Sequence, residues 1–511
     1  MDINWMQFKS GSDIRGVATD SLDGQKITLT NEVVEKITLG FVTWLKEYCN
    51  LDINNITVSV GNDPRVSATR IKTVVINALR CVGVQVYDCM LSSTPAMFLT
   101  TSTLSCTGAI QITASHHPAN RNGLKFFTAD GGLSSDDISQ ILDIASRGVF
   151  PPISKYGKVR QINTMRQYCE RLRNVICNGI KSKENHNKPL SGFKIAVDAG
   201  NGAGGFFAND VLKPLGADIS GSIFLEPDGT FPNHIPNPEN KEAMEFISKA
   251  VVDSNSDIGI IFDTDVDRAA IVDSKGKFIN RNKLIALSSA IVADESKNPI
   301  IVTDSVTSDY LKSFIANLGG KQFRFKRGYK NVIEAAKKFN NSGLNCPLAI
   351  ETSGHAAFKE NNFLDDGAFL AAKIIIKMVK MRQEGKSIES LVDSLNEAKE
   401  STEIRIPINH SEILSTSNKL FDKLKAHVKT IKSCSIDEDN VEGLRIKFNA
   451  RWQEGWCLLR VSVHDPVLVL NVECYVHNGV HSVLLALKPF FENYSFLDLS
   501  SYNQQLTNTK N

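Results

Sequence analysis

The sequence has no C-x-x-C pair, no long apolar run and almost no net charge, and each absence excludes a class of protein. Its ten cysteines are scattered, the closest pairs (Cys81 and Cys89, Cys169 and Cys177) lying eight residues apart. That usage argues against a zinc site and against a disulfide framework. No stretch approaches the ~18 apolar residues that a membrane span needs, and Met1-Asp2-Ile3-Asn4-Trp5 opens no apolar segment of signal-peptide length. The formal charge of +2 is too balanced to mark a nucleic-acid footprint or a polybasic membrane patch. A reduced, cytoplasmic protein with no nucleic-acid and no membrane partner is the expectation.

What is present is length and alternation. The 511 residues suffice for three or four domains at roughly 100–200 residues each. Short apolar runs at Ile56–Val60, Gly83–Tyr87 and Ala109–Ile112 read as strands, with Ala68–Arg80 an amphipathic helix between the first two. Lys194–Val197, Asp257–Phe262 and Ile300–Thr303 repeat the strand pattern, and Ser308–Leu318 the helical one. Apolar strands separated by helices predict an α/β protein with largely parallel sheets, whose chemistry sits in loops beyond the strand ends.

Several loops in that position carry reactive groups. Thr113-Ala114-Ser115-His116-His117-Pro118 sets a hydroxyl beside two imidazoles, and a Pro/Asn/Gly turn leads on to Lys125. Arg15 lies in a Gly/Ser-rich turn and Arg65 directly after a strand, where the two arginines together with Ser115 could surround an anion. Asp263, Asp265 and Asp267 alternate in a loop leaving an apolar strand, an arrangement that suits one hard cation bound through oxygen, with Arg268 following. An EF-hand is excluded because Arg268 and Ser274 occupy the positions of its glycine and glutamate. Gly328, Tyr329 and Lys330 sit in a cationic segment, and Glu351-Thr352-Ser353-Gly354-His355 ends a strand with an acid, a hydroxyl and an imidazole, His355 being the natural titrating group there. Gly200 to Gly205 formally matches the dinucleotide fingerprint, with Asp218 near the position of a ribose-binding acid.

Taken in order, T-A-S-H-H-P-x-x-R-N-G-x-K, the Asp263–Arg268 loop, E-x-S-G-H at 351–355 and the Gly229–Pro238 stretch resemble the motifs of the α-D-phosphohexomutases, from about Phe8 to Glu473. The resemblance implies a four-domain, heart-shaped α/β architecture: three similar α/β domains and a smaller C-terminal α+β domain around a central cleft. Its divisions would be 1–158 (phosphoserine), 159–276 (metal), 277–398 (sugar) and 399–500 (second phosphate), with 501–511 a disordered tail. It also makes Gly200–Gly205 a turn of the second domain and displaces the dehydrogenase reading.

By the same resemblance, Ser115 is carried as a phosphoserine that completes a Mg2+ site with Asp263, Asp265 and Asp267. Arg15, His116, Lys125 and Arg268 stabilise the transferring group, and Lys125 or His355 exchanges the hydroxyl proton. A hexose 1,6-bisphosphate is intermediate and activator, and Glu351, Ser353, Gly328, Tyr329 and Lys330 bind the sugar. The family's R-x-S-G-T-E-P loop for the second phosphate reads Arg460-Val461-Ser462-Val463-His464-Asp465-Pro466 here. Arg460, Ser462 and His464 retain donors, whereas Val463 replaces a glycine that admits close backbone approach and positive φ.

The substrate expected is a small-molecule sugar phosphate and the activity a phosphomannomutase/phosphoglucomutase isomerisation. The alternatives are a phosphoglucosamine mutase, a catalytically silent paralogue acting as a scaffold, and a metal-dependent phosphohydrolase. The sequence decides between neither monomer and dimer nor the preferred hexose.

Overall fold

The computed structural model describes residues 3–20, 24–153, 155–182, 185–409, 413–431, 433–449, 454–462 and 467–509. It divides into two compact units, Met1–Val292 with Ser353–Leu391, and Ala293–Thr352 with Val392–Asn511. The segment 353–391, read with the sugar domain from sequence, thus packs within the first unit.

The first unit opens with a mixed sheet in which Thr57–Asn62 runs parallel to both Gln85–Leu91 and Gly108–Ile112. These are the strands expected from the apolar runs, and Ala68–Cys81 is the expected helix. Helix Asn31–Cys49 covers the sheet. It starts where Thr30 accepts the Val33 N–H and stops where Asn50 turns left-handed at φ 50°, a conformation asparagine tolerates better than most residues. Its inward stripe includes Val34, Ile37, Phe41 and Leu45, and the Phe41 ring stacks on Phe126 at 4.4 Å. Burying such a ring is worth about 1.5–3 kcal/mol.

One local expectation is corrected here. Asn122 and Gly123 do not turn the chain but belong to strand Arg121–Thr128, antiparallel to Gly108–Ile112 and to Asp13–Val17. A Cβ at Gly123 would stand 1.9 Å from the Ile14 carbonyl oxygen, so only glycine lets the two backbones approach. The strand carries Lys125 inward, 3% exposed.

Next in the same unit, Ile195–Asp198 pairs parallel with Ile258–Phe262, which pairs antiparallel with Ala269–Asp273. Helix Gly367–Gln383 is capped by Asp366, whose carboxylate accepts from Phe369 N and from the Tyr168 hydroxyl at 2.5 Å. Burial raises that carboxyl to about 6.

The second unit holds the parallel strands Lys321–Arg324, Ile300–Thr303 and Leu348–Ile350, and a five-stranded antiparallel sheet ordered Glu400–Pro407, Val467–Cys474, Gly455–Val461, Leu444–Phe448, Cys434–Ile436. A buried ionic knot joins the two sheets. Arg445 donates to the Ser305 and Thr307 carbonyls, pairs with Asp309 and Asp437, and lies 3.6 Å over the Trp456 ring.

The expected disordered tail is a second correction. Ser500–Asn508 is a helix, with residues 510–511 outside those described. Its reason is a small apolar stripe inside a polar composition. Tyr502 is fully buried against Phe491 and donates to the Leu484 carbonyl, and Leu506 packs one turn later.

An Asp198–His234 pair in the first unit yields a pH prediction. His234 Nε2 lies 2.9 Å from Asp198 Oδ2 and Nδ1 lies 2.9 Å from the Ile235 carbonyl, so both ring nitrogens face acceptors and the charged imidazole fits best. Burial alone would lower its pKa, but Asp198 and the Ile235 carbonyl raise it above the ordinary value. A raised histidine adds stability that is complete below ~6.5 and lost as pH climbs through the folded-state value. The melting temperature should therefore fall between pH ~6 and ~8.5 by a component that His234→Asn lacks. Differential scanning calorimetry across that range checks it, equal slopes in the two proteins being the contrary result.

Candidate active site

Ser115 follows strand Gly108–Ile112 and adopts φ 48°, a left-handed conformation that is strained for a residue with a side chain. Its N–H donates to Thr113 Oγ1 at 2.9 Å. The strain turns the hydroxyl toward the second loop, where Ser115 Oγ donates to Asp263 Oδ2 at 2.8 Å, with His116 Nδ1 3.3 Å away.

The acid loop leaves strand Ile258–Phe262 at its carboxyl end. Asp263, Asp265 and Asp267 are each at most 1% exposed and offer oxygens all within 4.8 Å of one another. Val266 between them has φ 69°, an unfavourable value for a β-branched residue. Its N–H donates to the Asp263 carbonyl and its own carbonyl accepts from Gly367 N, which hold the turn. Thr94 donates from both Oγ1 and N to Asp265. Lys125 reaches Asp265 at 3.2 Å and makes a short contact with Asp267.

Burial first, and then the charges of Asp267 and Asp265, push the Asp263 carboxyl well above the usual range. Burial also opposes ionisation of Asp267, but Lys125, His355 and Arg268 hold it below that range. Asp265 Oδ1 and Asp267 Oδ1 are buried without a hydrogen-bond partner among the described residues. Clustered carboxylate oxygens with unused lone pairs fit a hard divalent cation such as Mg2+, which takes few protein carboxylates at a site.

Other expected site residues of this unit gather around the acids. Arg268 N donates to Asp263 Oδ1, and Arg268 Nε donates to His355 Nε2 at 2.8 Å. The remaining His355 nitrogen, Nδ1, lies 2.6 Å from Asp365 Oδ2. Arg15 donates to the Ile14 and Thr113 carbonyls and to Asp13, which braces the base of the serine loop. Ser353 is buried in this unit.

The remaining expected residues lie in the second unit. Glu351 Oε1 accepts the Gly328 N–H at 2.6 Å, and Tyr329 and Lys330 open helix Tyr329–Asn341, where Lys330 pairs with Glu334. Arg460 is 4% exposed, and its Nε has no hydrogen-bond partner among the described residues. Ser462 Oγ accepts a long bond from Arg405. Val463, His464, Asp465 and Pro466 lie outside the described residues.

Thr94 and Asp365 were not expected at the site. Arg65 had been grouped with the anion-facing arginines, yet it is 2% exposed and all five of its side-chain N–H groups are used on protein oxygens. The Asp-x-Arg spacing at 63–65, ending a strand, was the available signal for a salt-bridged turn.

Consecutive α/β layers that bring a strand-end serine against a strand-end acid loop define the phosphohexomutase class of fold, and the sequence comparisons agree. Family models described as phosphoglucomutase/phosphomannomutase α/β/α domains I, II and III match residues 6–150, 166–276 and 280–398, and the chain belongs to that family. It is 28% identical over 462 residues to the phosphomannomutase/phosphoglucomutase of Pseudomonas syringae pv. tomato, covering 90% of each chain. It is 29% identical over 490 residues to the phosphoglucomutase/phosphomannomutase of Thermococcus kodakarensis, covering 93% of this chain and 98% of that one. The crystal structure of a phosphoglucomutase/phosphomannomutase family protein from Burkholderia thailandensis matches at a TM-score of 0.77 and 26% identity, over 95% of this chain and 98% of that one.

The crowded acids make a prediction with opposite signs in two conditions. Asp263→Asn should raise the melting temperature in chelator, because one buried carboxylate is removed, and should abolish the stabilisation that millimolar Mg2+ gives the wild type. Thermal melts with EDTA and with Mg2+ check it. A variant stabilised by Mg2+ as strongly as the wild type would contradict the assignment of the metal site.

Proposed function

We propose that the protein moves a phosphoryl group reversibly between O1 and O6 of a hexose phosphate, mannose or glucose, with Ser115 as the carrier and a hexose 1,6-bisphosphate as the intermediate. The observation that carries this reading is the 2.8 Å bond from Ser115 Oγ to Asp263, the first of three clustered acids, of which Asp265 Oδ1 and Asp267 Oδ1 have no hydrogen-bond partner among the described residues. A nucleophile aimed at a cation site matches what phosphoryl transfer demands, namely positioning and charge neutralisation with little covalent work by the protein. Mg2+ held by Asp263, Asp265, Asp267 and the Ser115 phosphate would supply Lewis-acid charge withdrawal.

The chain's own groups then divide the work. Arg15 and the strained backbone at Ser115 fix the direction of attack, and His116 and Arg268 stabilise charge on the equatorial oxygens. Lys125, which lies against Asp265 and Asp267, would donate to the transferring group and exchange the sugar hydroxyl proton. His355 has one nitrogen accepting from Arg268 and the other against Asp365, so its part is to hold Arg268 in place.

Glu351, Ser353, Gly328, Tyr329 and Lys330 are assigned to the sugar, and Arg460, Ser462 and His464 to the phosphate that is not reacting. The division 1–158, 159–276, 277–398 and 399–500 belongs to the same reading. The names of relatives that span nearly the whole chain, phosphomannomutase/phosphoglucomutase, favour mannose and glucose phosphates over glucosamine phosphate.

The test is a coupled assay on glucose 1-phosphate, mannose 1-phosphate and glucosamine 1-phosphate, each with Mg2+ and a trace of the 1,6-bisphosphate. Intact-mass detection of one phosphate accompanies it. Turnover on the first two is expected, with loss of the phosphate and of activity by on the order of 1000-fold or more in Ser115→Ala. No turnover on any of the three by a folded, Ser115-phosphorylated protein would overturn the reading.

A further inference from the structure

We infer that Arg65 is a positioning residue for phosphoryl transfer, a buried clamp that sets the place and angle of Ser115; this rests on the mutase reading. Four of its five side-chain N–H groups go to backbone carbonyls of the serine loop. Nη1 donates to the Pro118 and Arg121 oxygens, and Nη2 to those of Ser115 and His117. The fifth, Nε, donates to Asp63 Oδ2 at 3.1 Å. A guanidinium so saturated has no donor to offer a substrate phosphate. What it does is draw four carbonyl dipoles onto one cation, and the loop can close in this form only around such a charge.

The contacts form a ring. Asp63 Oδ2 also accepts from Thr113 Oγ1 at 2.7 Å, and Thr113 Oγ1 in turn accepts the Ser115 N–H at 2.9 Å. The ring returns to Ser115 through the Arg65 bond to its carbonyl. Both backbone polar groups of Ser115 are therefore fixed by one network, which balances the left-handed strain at that residue.

The clamp has a cover, and it comes from a stretch to which no chemistry had been assigned. The Phe231 ring lies 5.1 Å from the Arg65 guanidinium carbon, and Gly229 bridges to Arg65 through the backbone. A Cβ at Gly229 would stand 2.2 Å from the Pro64 carbonyl oxygen and 2.5 Å from Val66 N, so the approach requires glycine. The same stretch ties to the acid loop. Asn233 donates to Asn201 Oδ1 at 2.7 Å, and Ala203 N, two residues on, donates to the Thr264 carbonyl at 2.8 Å. Gly229–Pro238 thus spans the two halves of the site, and the clamp registers one against the other.

The experiment compares full-length wild type, Arg65→Lys and Phe231→Leu in steady-state turnover of glucose 1-phosphate with Mg2+ and a trace of glucose 1,6-bisphosphate, alongside thermal melts. Lysine keeps the charge but cannot present a planar fork to four carbonyls and Asp63. Arg65→Lys is expected to lose on the order of 100-fold in kcat with KM changed by less than about threefold. Phe231→Leu keeps every hydrogen bond of the clamp and should lose about threefold in kcat alone.

A rise in KM at unchanged kcat would make Arg65 a substrate-binding group and overturn the proposal. A lowered melting temperature with wild-type kcat and KM in the folded protein would make it merely structural and overturn it equally. If Arg65→Lys does not fold, the same split in Phe231→Leu decides. Absence of turnover in the wild type is a separate outcome, which removes the mutase reading on which the clamp depends.

Discussion

Three carboxylates buried within 4.8 Å of one another are the constraint on which the rest of the first unit depends. At an effective dielectric constant of ~20, each ionised pair at such a distance repels by about 3 kcal/mol. The protein does not relieve this by exposure. It surrounds the acids with Lys125, Arg268 and the Thr94 donors, and two oxygens have no hydrogen bond among the described residues. A site that stores negative charge in this way is poised for a cation, and the Ser115 hydroxyl is bonded to its first acid.

Two strained backbone positions make that meeting possible. Ser115 and Val266 both take positive φ, at a cost of order 1–3 kcal/mol each. Each is over-determined by its surroundings. The ring through Thr113, Asp63 and Arg65 secures the first, and hydrogen bonds to Asp263 and from Gly367 secure the second. Strain at Ser115 and Val266 is thus sustained by the polar networks in which their backbone groups take part.

The serine, the acids and the Glu351–His355 stretch, proposed for the chemistry, were the legible groups, because each lies in a short contiguous motif at a strand end. Periodicity puts Ser115, the three acids and the Glu351–His355 stretch in loops at strand ends, and the resemblance to the phosphohexomutases supplies their roles. Thr94, 171 positions from Asp265, was out of reach, and Arg65, read beside Ser115 as an anion ligand, instead spends its donors on the carbonyls of the serine loop. Lys125 was visible and the chain does turn after Pro118, Arg121 N donating to the Pro118 carbonyl, but the end of the expected Pro/Asn/Gly turn is strand, because Gly123 lies against the Ile14 backbone. The helix at Ser500–Asn508 was missed for a related reason. Its polar composition describes the exposed side, and only Tyr502 and Leu506, one turn apart, reveal the buried one.

The central claim is that the serine and the acid loop form one metal-dependent phosphoryl relay. Rapid quench of the phosphorylated protein against a single equivalent of glucose 1-phosphate, with Mg2+ or with EDTA, tests it most directly. The account predicts that the phosphate leaves Ser115 and appears as glucose 1,6-bisphosphate with Mg2+, and that it stays on the serine with EDTA. Transfer at the same rate in EDTA, or release as inorganic phosphate in place of the bisphosphate, would contradict it.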